Sequence, residues 1–107
     1  MTDYSELHDQ QINMMVCKAL GIEMSGYARI MALDDATILL ADNKTLVDYC
    51  NNPSDAWPII DDNKICLLSI GNTWLAHDLK LMSKGNNPLR AAMIVFLMMQ
   101  DAKHANS

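Results

Sequence analysis

At 107 residues, half of them apolar, the chain is long enough for one domain with a real core, without disulfides or metal to hold it. A formal charge of −5 and eight scattered Lys and Arg exclude a basic nucleic-acid face, and the thirteen acids are too dispersed for a nucleic-acid mimic. The three cysteines, Cys17, Cys50 and Cys66, are odd in number and follow a polar amino end with no signal-peptide pattern, so reduced thiols in a cytoplasm are the expectation.

The first helix is expected within Asp9 to Leu20. Ile12, Met15, Val16, Ala19 and Leu20 repeat at the spacing of one buried stripe, while Gln10, Asn13 and Lys18 fall off it. Asp9 suits the positive end of the helix dipole, and Gly21 supplies a left-handed stop. "ARIMAL" and "ATILLA" predict two strands joined by a hairpin at Asp34-Asp35, and "KTLVDYC" a further extended piece after an Asp42-Asn43 turn. Asn52 as N-cap and Pro53 at the first helical position predict a short helix from Pro53 to about Asp61, with Pro58 expected to kink or truncate it.

"KICLLSI" and "TWLAHDL" flank Gly71-Asn72, which predicts a hairpin with a two-residue primed turn. "MSKGNN" is expected to be loop. Asn87 then caps, and Pro88 opens, a last helix running to about Lys103. The class is α+β: an antiparallel sheet with helices packed on it, α–β–α sandwich-like, with long first and last helices and a short central one. The two long helices are expected side by side over one face of the sheet.

Three stretches, "DYSELHDQQIN", "VDYCNNPSDAWPII" and above all "NPLRAAMIVFLMMQDA", resemble the NinX-like family of small tailed-phage and prophage proteins. The layout, with a "DAW" helix in mid-chain and an apolar last helix, is also similar to a broader group of phage proteins with an α–β–α sandwich. The resemblance covers roughly residues 3 to 21, 47 to 60 and 86 to 103, and does not extend to Met24 to Asn43. It implies a phage or prophage origin and action inside the bacterial host. It implies no reaction and no catalytic residue, because the family is one of unknown function.

Candidate chemistry is sparse. His8, His77, His104 and the cysteines lack ligand spacing, so no metal and no cofactor is expected. Cys66 in mid-strand and Cys17 beside a helix stripe suit small apolar positions. Cys50 lies just before a helix N-terminus, where a thiolate would be stabilised, and His77 is the base that could approach it. Asp34-Asp35 and Asp61-Asp62 fit solvated turns. Trp57 is expected in the core, and Trp74, beside the hairpin turn, is an open case.

The last helix poses the main question. Ala91 to Met99 contains no polar side chain. Leu89, Ala92, Met93, Phe96 and Met99 share one face; Arg90, Ile94 and Asp101 lie nearly opposite, flanked by Leu97 and Met98. Either another segment of the chain covers this outer stripe, or a second copy or a host protein does. The balance favours a self-interface slightly, with Arg90, Ile94, Leu97, Met98, Asp101 and Trp74 as interface candidates. The expected function is a non-enzymatic phage accessory protein acting by protein contact, a homo-oligomer or the partner of a host or phage protein, with neither nucleic acid nor membrane as partner. The alternative is a small enzyme, or an enzyme subunit, using Cys50 to Trp57 with His77.

Overall fold

The computed structural model describes residues 3–26 and 36–105. A 3-10 turn, Tyr4–Glu6, leads into helix α1, Asp9–Ala19. Strands β1, Ile38–Leu39, and β2, Leu46–Val47, form a small antiparallel pair, and helix α2 spans Pro53–Asp62. Strands β3, Cys66–Ile70, β4, Thr73–His77, and β5, Met82–Gly85, make a three-stranded antiparallel meander, and helix α3, Pro88–Ala105, is the last described element. The α+β class follows directly from these elements.

Helix α3 is the centre. Every residue from Ala91 to Leu97 is buried. One side packs on the three-stranded sheet, and α1 and α2 also pack on α3. The sequence suggested α1 and α3 side by side over the sheet. Instead α3 alone contributes the main helical cover of the sheet, because an apolar helix with no polar stripe needs protein on every side. The outer stripe is therefore covered by the chain itself: Ile94 is 6% exposed and Leu97 is 3% exposed.

The starts of α3 and α2 are set by local chemistry. Asn87 Oδ1 accepts from the Leu89 and Arg90 amides at 2.9 and 3.3 Å, and Asn52 Oδ1 accepts from the Ser54 amide at 3.0 Å. Helix α2 continues through Pro58 to Asp62 without truncation. Ser54, whose carbonyl loses its partner, is exposed, as is Pro58, so water can serve that carbonyl.

Helices α1 and α2 end alike. The Ile22 amide donates to the Cys17 carbonyl and the Gly21 amide to that of Lys18; the Ile65 amide donates to the Ile60 carbonyl and the Lys64 amide to that of Asp61. Each is a Schellman motif, which needs a left-handed residue next to the cap. In α1 that residue is Gly21, φ 73°, as its sequence indicates; in α2 it is Lys64, φ 52°.

Other expectations need correction. The "ARIMAL" strand and the Asp34-Asp35 turn lie outside the described residues. "ATILLA" contributes β1, which pairs with β2 across the Asp42-Asn43 turn. Met82–Gly85 is not loop but β5, paired with β4 from Trp74↔Gly85 to His77↔Met82. Its residues have little strand propensity, and the ladder to β4 decides its conformation. The buried stripe of α1 is Ile12, Asn13, Val16 and Cys17, with Leu20 exposed. Asn13 and Cys17 thus replace Ala19 and Leu20, because Asn13 finds buried hydrogen-bond partners.

Two outcomes follow. Ile94→Glu buries a charge in the core, so thermal circular dichroism should show no cooperative melt and light scattering should show aggregation; a stable, cooperatively folding variant would contradict the central placement of α3. Lys64→Gly removes a left-handed strain of about 1–2 kcal/mol per non-glycine residue, against a glycine entropy cost of about 0.5–1 kcal/mol. The Lys64–Asp61 ion pair it deletes is long, 3.8 Å, and exposed, so it offsets little. Urea titration should show a small gain in stability.

Candidate functional site

The most polar part of the molecule surrounds the beginnings of α1 and α3. Arg90 Nη1 meets Asp9 Oδ1 at 2.6 Å, while Nη2 donates to the carbonyls of Leu7 and Ser5 at 2.6 and 3.3 Å. Tyr4 donates its hydroxyl proton to Asp101. Two candidates for an outer interface, Arg90 and Asp101, are thus engaged in holding the amino-terminal segment on α3. Below them, the buried Asn13 Nδ2 donates to the Ala36 carbonyl at 2.9 Å and to Asp48 Oδ1 at 2.8 Å, and its Oδ1 accepts from the Cys50 amide at 3.1 Å. Asn87 Nδ2 donates to the Cys50 carbonyl at 2.7 Å.

A cleft of about 950 Å³ opens beside this network, lined by Leu7, His8, Asp9, Gln10, Gln11, Met14, Ala36, Asp48, Asn51 and Arg90. Its charged groups are largely tied to one another. Asn51 Nδ2 bridges Asp9 and Asp48 at 3.1 Å, and no buried side-chain nitrogen or oxygen among the described residues lacks a partner. Polar groups that converge on each other and not on an empty point suit a structural network better than a catalytic one.

The Cys50 and His77 pairing does not assemble. Cys50 is fully buried, its thiol toward the Asp9 carbonyl at 3.9 Å. Burial, then the Asp9 carboxylate, pushes the thiol well above its usual 9.0, against the pull of Arg90. His77 stands on the sheet face turned away from α3, opposite Cys66 and Met82 in the ladder. Among the described residues, no three His, Cys, Asp or Glu side chains are placed to hold a metal ion, and no helix is long and apolar enough to cross a membrane.

The remaining candidates fall in different places. Ile94 and Leu97 are core, and Met98 is half-buried against it. Trp74 shares with the buried Ala76 the sheet face toward α3 and is half-buried between Ser69 and Gly85. Trp57 is not core: the buried stripe of α2 is Ala56, Ile59 and Ile60, which leaves Trp57 off the stripe and 59% exposed. Cys66 is exposed at the start of β3 and does not occupy an apolar interior position.

The surface that sequence reasoning missed is the outer face of the meander. Alternation puts Leu67 and Ala76 toward the core. It leaves Cys66, Leu68 and Ile70 of β3, Thr73, Leu75 and His77 of β4, and Met82 and Lys84 of β5 on the other side. Leu68 is 50% exposed, Ile70 49% and Met82 59%. The sequence carried a signal: "CLLSI" is apolar at four of five positions, where a one-sided sheet calls for alternation.

The thiols give a direct check. With native protein, Ellman's reagent should titrate Cys66 rapidly, while Cys17 and Cys50 react only on unfolding; rapid titration of two or three thiols would contradict this packing. Cys17 and Cys50 are raised above 9.0, and Tyr49 above 10.0, chiefly by burial. A raised folded-state pKa contributes stability below the unfolded value and loses it as pH rises toward the folded value. Urea midpoints should therefore fall as pH climbs past about 9.

No curated protein and no solved structure matches the chain significantly. One family model, described as "Bacteriophage P22, NinX", matches residues 3–100, nearly the whole sequence. Its span takes in the Tyr4 and Arg90 anchors, the Asn13 network, the meander and the core of α3. The chain belongs to the bacteriophage P22 NinX family.

Proposed function

We propose that this phage protein is a non-enzymatic accessory factor of the host cytoplasm that works by protein contact through the outer face of its three-stranded sheet. The observation that carries this reading is the exposure of Leu68, Ile70 and Met82 on one continuous face. Apolar side chains clustered at half exposure, on a chain with thirteen acids to place on its surface, mark a contact site. The engaged state of the polar cleft supports the same reading, because an enzyme needs groups free to meet a substrate. Exposed Trp57, on a different element, is available as a further contact point.

Phage carrying Leu68→Glu and Ile70→Glu should behave like a deletion of the gene in competitive growth on the host, while the purified variant keeps its melting temperature. Phage carrying His8→Ala and Gln10→Ala, in the cleft, should grow like wild type. The reverse pattern would sink the contact reading and bring the cleft forward as an active site.

A further inference from the structure

The outer face of the meander also constrains its partner. The ladder aligns Leu68 with Leu75 and Leu75 with Lys84 across the three strands, and Cys66 with His77 and His77 with Met82 one step along. Leu75 stands at the middle of the middle strand. The face carries one lysine, one histidine and no carboxylate, in a chain of net charge −5. A partner steered by charge would be met by more of it. An identical face needs none: apolar side chains meet apolar side chains, provided the two Lys84 ammonium groups stay apart.

That proviso selects a geometry. Two sheets stacking face to face keep their strands roughly aligned, about 10 Å apart. A two-fold axis across the strands would lay β5 on the partner's β5 and set Lys84 against its own copy. An axis along β4 lays β5 over the β3 of the second copy. Lys84 then covers Leu68 with its aliphatic stem and reaches past the sheet edge to water. Thr73, Leu75 and His77 meet their own copies on the axis.

Resting on the contact reading above, we propose that the occupant of this face is a second copy of the chain, packed sheet to sheet about a two-fold axis parallel to β4 with Leu75 at its centre. Size sets the strength. A five-residue strand is roughly 17 Å long and three strands are about 10–14 Å wide. That patch falls short of the ~800 Å² per partner of a standard stable complex. The dimer is accordingly weak and reversible, with Kd on the order of 10–100 µM. The acidic remainder of each copy repels the other, so added salt tightens the dimer.

Sedimentation equilibrium on the whole chain tests this. Over a span from about 1 to 500 µM, bracketing that Kd, the mass should rise from 12.0 kDa toward twice that value, and more readily at high salt. Leu75→Glu and Leu75→Lys should each stay at monomer mass with a cooperative melt, and their equimolar mixture should recover the dimer, because position 75 faces itself. Leu68→Glu faces Lys84 and should weaken the dimer less than Leu75→Glu. If the position 75 variants do not melt cooperatively, Thr73→Glu and Thr73→Lys repeat the test on the same axis. Wild-type chain that stays monomeric at the highest concentration, or a charge-swapped mixture that stays monomeric, overturns the proposal. If face-variant phage are then still defective, the partner is a different protein and the contact reading stands without self-association.

Discussion

A helix with no polar side must be surrounded, and the rest of this fold is the means of surrounding α3. Burying each large apolar side chain of Met93, Ile94, Phe96 and Leu97 contributes roughly 1.5–3 kcal/mol. The meander covers one side, and α1 and α2 supply further cover. Among the described residues, no element other than α3 packs extensively on the meander or on α2. Each outer layer therefore turns one face to water. On α2 that face carries Ser54, Asp61 and Asp62 beside the exposed Trp57; on the meander it remains largely apolar. The open sheet face is thus a by-product of spending the chain on its central helix.

The charged residues of α1 and α3 serve the same end. Arg90 binds Asp9 and two carbonyls of the amino-terminal segment, and Tyr4 reaches Asp101 near the other end of α3. These contacts fasten residues 4–9 along the helix. Asn13 and Asn87 do equivalent work for the loop at 48–51 through the Cys50 amide and carbonyl. Arg90 reaches the carboxylate from one nitrogen and the two carbonyls from another, where a lysine would have a single nitrogen to share among all three. Residues that would suggest a site by composition are consumed in holding the fold.

What was legible in the sequence follows the range of the interactions involved. The helix starts at Asn52-Pro53 and Asn87-Pro88, the Gly21 stop and the Gly71-Asn72 turn are local, and each is found where its residues placed it. Strand β5 was hidden because Met-Ser-Lys-Gly has no strand preference of its own and is ordered by β4. Asn13 was hidden because a buried amide looks polar until its partners, 23 to 37 residues away, are known. Trp57 misled through its size: the stripe of α2 passes through Ala56 instead. For the site, Arg90 and Asp101 were expected at an interface; their partners within the chain lie 81 and 97 residues away, beyond any local pattern. The apolar outer face needed the strand register before Leu68, Leu75 and Met82 could be seen as neighbours.

The position of α3 in the chain has a consequence for biosynthesis. Among the described elements, the one on which the core is built is the last to be synthesised. Until it emerges, α1, α2 and the meander have no common partner to pack against, and the Asp9–Arg90 and Tyr4–Asp101 contacts cannot form. Folding by this route depends on contacts between elements 81 to 97 residues apart, a topology that slows folding. A nascent chain that carries α1, α2 and the meander but not yet α3 therefore has its apolar faces open.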